Sequence, residues 1–199
     1  MSDLMLDVGQ ANELKLAFRR ADWNNDDIKR LCEGNVLVDV RSVLRGHASI
    51  AVTQHVIDCD ADPFNPWFNT VFTIEEHQKG GQWKFDPKQV EFFLASGQKD
   101  GKALEGKKLR KQLAKRIVFN ANVLDYLLAH PELIPDEWKT IGNRRTRYTF
   151  FWGTIYRNRA GCPHVRYLFW SWLHGRWSWA HYWLNGGWGG SYPAAVRVD

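Results

Sequence analysis

Cysteine is scarce in this chain: Cys32, Cys59 and Cys162 are the three thiols among 199 residues, and no two form a Cys-x-x-Cys pair. An odd, widely spaced set excludes a disulfide framework. Zinc ribbons and knuckles are excluded with it, because they need paired thiolates. Long apolar runs are missing as well. No stretch reaches the roughly 18–20 uncharged apolar residues of a membrane helix, so a membrane is not an expected partner. The opening Met1-Ser2-Asp3-Leu4-Met5-Leu6-Asp7 has neither the basic start nor the apolar core of a signal peptide. Unpaired thiols and no leader together lead us to expect a cytoplasmic location.

Catalytic signatures are also absent. There is no Gly-x-Ser-x-Gly, and Cys162-Pro163-His164 has no orienting acid nearby in the sequence. The glycines from Gly97 to Gly106 lack the Gly-Lys-Ser/Thr ending of a phosphate-binding loop. No cofactor is implied. Acidic residues are missing from one end: after Glu137 the sole acid is Asp199. Residues 1–138 hold 18 Lys and Arg against 21 Asp and Glu, whereas residues 139–199 hold 9 against 1. The net charge of +5 is therefore a local surplus at the C-terminal end.

What the chain has in excess is tryptophan. Seven of its 11 (Trp152, Trp170, Trp172, Trp177, Trp179, Trp183, Trp188) fall within 37 residues, in the same segment as the basic surplus. With 44 % hydrophobic and 14 % aromatic residues the chain reads as globular, since disordered segments are poor in rings.

The first third reads as helical. Leu14, Ala17, Phe18 and Ala21 share one helical face. Asn24 or Asn25 caps a second helix through Ile28 and Leu31, with Asp26 and Asp27 at its positive end. A third runs from Val36 to about Leu44, with Gly46 as its stop. Together they form a compact unit over 1–46 that resembles a helix-turn-helix arrangement. Branched residues then predict short strands over Ser49–Asp58 (including Val52), Val71–Ile74 and Gln82–Phe85. Asp86-Pro87 predicts a helix with Val90, Phe93 and Leu94 inward, ending at Gly97. Further helices are expected over Leu104–Arg116 and from the Asn120 cap to His130, where Pro131 stops the run. Beyond Thr146 the alternation predicts an antiparallel meander: Tyr148–Tyr156, Val165–Leu173 and Arg176–Leu184. The expected fold class is α+β: an N-terminal helical part, short strands, a helical layer and a Trp-rich antiparallel sheet. Residues 47–199 form its α+β domain, or one domain continuous with 1–46.

Three constellations could carry function. In the first, Arg144, Arg145, Arg147, Arg157, Arg166 and Arg176 lie among the rings, with Trp177 and Trp179 on one face of the last strand. Rings that stack on bases and cations that follow phosphates are how single-stranded nucleic acid or RNA is held. Carbohydrate also stacks on Trp, but needs Asp, Asn or Gln beside the ring, and these are few here. The competing reading is a thin-sheet core with arginines around its rim. The second is the acidic loop Asp58-Cys59-Asp60-Ala61-Asp62, where Asp58, Asp60 and Asp62 could offer oxygen ligands to a divalent metal for a hydrolase. Turn-capping aspartates are the competing reading. The third is a basic run, Lys107-Lys108, Arg110-Lys111 and Lys115-Arg116, which reads as a solvated helix face able to extend a phosphate-binding surface. The N-terminal helices have no basic field, because acids there nearly match bases.

Most of the chain resembles a group of uncharacterised bacterial proteins of about this length. The resemblance rests on the segments His55–Pro63, Glu75–Trp83, Asn120–Pro135, Phe151–Tyr156 and Val165–Trp170. The group has no assigned activity, so the resemblance implies no catalytic or binding residue. The leading expectation is therefore a non-enzymatic nucleic-acid-binding protein. The alternatives are a metal-dependent hydrolase, or a structural or assembly protein whose rings bury against a protein partner or a second copy.

Overall fold

The apolar periodicities resolve into two compact units, Met1–Thr53 and Gln54–Asp199, in a computed structural model that describes residues 5–50, 54–66, 72–142 and 145–198. Val52, Val71 and Arg144 lie outside the described residues. The first unit holds α1 (Val8–Arg20), α2 (Asn25–Leu31) and α3 (Val36–Leu44). Asp7 opens α1 with a reciprocal cap: its carboxylate accepts from the Gln10 amide at 2.7 Å, and the Gln10 side chain accepts from the Asp7 amide. Asn24 opens α2 in the same way, with Asp27 reaching back to its amide at 2.9 Å. None of these helices buries a residue.

The second unit has an α+β fold. Its strands are β1 (Val56–Asp58), β2 (Phe72–His77), β3 (Gln82–Lys84), β4 (Val90–Phe93), β5 (Leu104–Glu105), β6 (Thr140–Ile141), β7 (Arg145–Thr146), β8 (Thr149–Phe150), β9 (Thr154–Asn158), β10 (Pro163–Ser171), β11 (Arg176–Trp183), β12 (Gly187–Trp188) and β13 (Ala194–Arg197). Helices α4 (Gly106–Leu113) and α5 (Ala121–Ala129) lie between β5 and β6. The main sheet is mostly antiparallel and centres on β10. One edge of β10 pairs with β11 from His164↔Trp183 to Ser171↔Arg176. Its other edge pairs with β9 at Pro163 and His164, and with β8 at Tyr167 and Leu168. Thus β8 and β9 are one strand broken at Phe151–Gly153. Beyond them the sheet forks: β2 continues from β9, while β13 continues from β8 and carries β4.

Two expectations need correction here. Asp86 does cap a turn, accepting from the Lys88 amide at 2.9 Å, but the helix ends after Pro87–Gln89. Val90–Phe93 instead pairs with β13. The reason is two-sided burial, with Phe92 packed into the core on one face of the sheet and Phe93 into the core on the other. A strand buried on both faces shows continuous apolar residues, which imitate a helix over so short a span. The C-terminal segment also departs from a simple meander, because β13 runs parallel to β8 at Ala194↔Phe150.

Both sheet faces are covered. On one, Leu124 and Leu127 of α5 pack with Leu168, Phe151 and Trp138. On the other, Leu109 and Leu113 of α4 pack with Phe150, Trp152, Val165 and Trp188. Trp188 is wholly buried, with ring centroids 4.5 Å from Phe150 and 4.6 Å from Trp152. Part of the tryptophan excess is therefore core. Among the described residues, no helix is long and apolar enough to cross a membrane.

Candidate functional site

Strand alternation decides which rings can meet a ligand. Pairing of β10 with β11 sets Trp170 opposite Trp177 and Leu168 opposite Trp179 on one face. Over the middle of that face lies α5, against which Trp177 and Trp179 are half-buried. Toward the hairpin tip the cover runs out. Trp172 is 61 % exposed and Leu173 88 %, and Gly175 closes the loop with φ +59°, a conformation that favours glycine. The rings form a chain: Trp172 meets Trp170 edge-on at 6.3 Å, and Trp170 meets Trp177 at 5.5 Å. Beside them a cleft of about 710 Å³ is lined by Leu128 and Pro131 at the end of α5 and by Arg176, Trp177, Ser178 and Trp179. Among the described residues lining it, none is acidic.

Cations gather at the same edge. Arg176 and Arg145 are exposed. The indole N–H of Trp172 donates to the Thr146 hydroxyl at 3.1 Å, which ties β7 and its Arg145 to the hairpin tip. The Lys139 ammonium sits 3.9 Å over the Trp170 ring and pairs with Asp136 at 2.7 Å.

The structure thus gathers four of the expected residues, Arg145, Arg176, Trp177 and Trp179, in one region. Arg166, Arg147 and Arg157 are instead engaged within the fold. Arg166 is 1 % exposed and makes two hydrogen bonds to Asp125, at 2.6 and 3.0 Å. Burial works against its charge, and the Asp125 carboxylate more than restores it, so its pKa lies above the ordinary guanidinium value. Arg166 is a structural cation and not a phosphate contact, because its position on β10 points it beneath α5. Arg147 lies half-buried with its guanidinium 4.0 Å from the Phe92 ring, and burial lowers its pKa. Arg157 stands at the far end of β10, paired with Glu75 at 2.8 Å. Arg144 is outside the described residues. Sequence reasoning did not include Trp170, Trp172 and Lys139 among the site residues. Trp170 could have been found from hairpin register, since it has the same parity as Arg166 and Leu168 and pairs with Trp177.

The acidic loop is built into the fold. The Asp58 carboxylate accepts from the Asp60 amide at 2.9 Å, and that of Asp60 accepts from the Gly80 and Gly81 amides at 2.9 and 2.8 Å. The Asn122 side chain donates to the carbonyls of Asp58 and Ala61, and that of Asn120 to the carbonyl of Cys59. Burial, reinforced by Asp60 and Asp58, pushes the Cys59 thiol up to about 11. Asp62 is exposed, and it lines one cleft with Asp60, His77 and Lys79. Among the described residues no three His, Cys, Asp or Glu side chains come together as metal ligands. Asp58 and Asp60 therefore act as turn caps, and among the described residues no ligand cluster supports the metal-dependent hydrolase reading.

Compared with protein-family models, with curated proteins and with solved structures, the chain matches none. The chemistry of the site rests on its own geometry.

Proposed function

We propose that this chain is a non-enzymatic binding protein that holds single-stranded nucleic acid across the tip face of the β10–β11 hairpin. The observation that carries the reading is the contiguous row Trp172–Trp170–Trp177, partly open to solvent, beside exposed Arg145 and Arg176. Stacking on such rings contributes about 1–3 kcal/mol per base and needs bases that are not already stacked in a duplex. Arg145 and Arg176 then meet the phosphates. The test is fluorescence anisotropy with a labelled oligouridylate across a salt series. Binding weakens with salt, and neutralising both arginines (Arg145→Gln with Arg176→Gln) flattens the log–log slope by about 1.4, at about 0.7 per phosphate contact. Trp172→Ala weakens binding about tenfold with little change in slope. Absence of binding at low salt overturns the proposal.

The 88 % exposure of Leu173 favours a second reading, in which the tip buries against a protein partner or a second copy. Light scattering distinguishes it: a dimer that dissociates on Leu173→Ser supports assembly.

A further inference from the structure

Helix α4 buries Leu109 and Leu113 and turns a second stripe outward. Lys107, Arg110, Lys111 and Ala114, spaced i, i+3, i+4 and i+7, form one wall of a cleft of about 800 Å³. The opposite wall is the β9–β10 turn, Ala160 to Pro163, and Leu184–Asn185 closes the end. The lining is apolar at Ala114, Ala160, Pro163 and Leu184, and cationic at the rim.

The four rim cations are of two kinds. Arg157 is fixed by Glu75 at 2.8 Å and by the Gly161 carbonyl, and Arg110 is held by Glu75 and Glu76. Among the described residues, Lys107 and Lys111 form no ion pair. Four cations against two carboxylates leave an excess of two positive charges around an apolar floor. A cleft of this volume lies within the roughly 300–1,000 Å³ of small-molecule sites.

We infer that this cleft binds a small amphipathic organic anion, with an apolar body against Ala114, Ala160 and Pro163 and an acidic group held by Lys107 and Lys111. The site is separate from the hairpin tip. Pro163 and Ser171 are the two ends of β10, eight residues and about 26 Å apart at about 3.3 Å per residue. The inference therefore stands whether or not the tip binds nucleic acid.

The probe is 8-anilinonaphthalene-1-sulfonate, a flat apolar anion, and Cys162, half-buried in the cleft wall, reports where it sits. In a Cys32→Ser background Cys59 is buried, which leaves Cys162 as the accessible thiol. Bound probe slows alkylation of Cys162 by iodoacetamide at least fivefold, with the midpoint of the fluorescence titration. Lys107→Glu with Lys111→Glu raises the Kd at least tenfold, and Ala114→Trp, at an exposed position, does the same by filling the cleft. Uncharged N-phenyl-1-naphthylamine binds at least tenfold more weakly. Trp172→Ser changes none of these values. The inference is overturned if saturating probe leaves alkylation unchanged, if the charge reversals leave the Kd unchanged, or if the neutral analogue binds equally well. It is also overturned if an oligonucleotide, and not the probe, protects Cys162.

Discussion

Arg166 reaches Asp125 through two hydrogen bonds with 1 % of its surface open, while the Asp125 side chain keeps 27 % of its own. Removing one partner of such a pair leaves a buried charge without compensation, whereas replacing both by apolar groups is close to neutral. Asp125→Ala is accordingly expected to cost about 3 kcal/mol, the low end of the range for buried pairs because Asp125 is partly solvated. Urea unfolding followed by tryptophan fluorescence measures this. Arg166→Met with Asp125→Leu is expected to recover most of the loss, and a double variant no better than the single one sinks the argument. At this scale the sequence was legible in sign but not in partnership. The arginines between Arg144 and Arg176 read as one basic field because charge is visible in sequence. The residue that removes Arg166 from that field lies 41 positions upstream on α5, and no local pattern announces such a contact. The opposite holds for the acidic loop, where Asp58 and Asp60 bond turn amides, as their residue types favour.

Among the elements, α5 was readable because its signals are local. The Asn120 side chain accepts from the Asn122 amide at its start, Val123, Leu124 and Leu127 repeat at helical spacing, and Pro131 follows. The β10–β11 hairpin was readable in its faces, since alternation is local, but its loop is the four residues Trp172–Gly175 and not the expected His174-Gly175 pair, so its register lies two residues from the expected one. The break between β8 and β9 was not readable, because long-range packing makes it. A Cβ on Gly153 would lie 2.8 Å from the Asn120 Cβ and 2.9 Å from the Asn120 Cα and N. The Gly153 amide meanwhile donates to the Phe119 carbonyl at 2.9 Å, and its carbonyl accepts from the Gln78 amide at 2.7 Å. The glycine therefore lets the broken strand seat directly on the N-terminal cap of α5, and backbone cannot swing aside as a long side chain would. Gly153→Ala is expected to cost about 1–3 kcal/mol, the range for forcing atoms into a packed interior. A thermal melt measures it, and an unchanged midpoint would show that the cap of α5 yields freely.

Over the whole molecule, burial and charge are both unevenly shared. Among the described residues every buried one lies in the Gln54–Asp199 unit, and α1, α2 and α3 bury none. Residues 54–199 also carry 20 Lys and Arg against 14 Asp and Glu, while residues 1–53 carry 7 against 8. The larger unit thus owns both the core and the positive field that attracts anions. The smaller unit has helices of 13, 7 and 9 residues, at or below the roughly 12–15 residues at which an isolated helix is marginal in water. Its caps contribute about 0.5–2 kcal/mol each, too little to replace a core. Native-state hydrogen exchange is expected to show amides of α1–α3 exchanging orders of magnitude faster than those of β10, β11 and α5. Trypsin is expected to cut first at sites such as Arg19, Arg30 and Arg45, all on or beside these exposed helices, leaving a fragment that keeps the main thermal transition. Slow exchange in α1–α3 matching that of β10, or first cleavage inside 54–199, would mean that the helical unit draws its stability from contacts beyond its own caps and ridges.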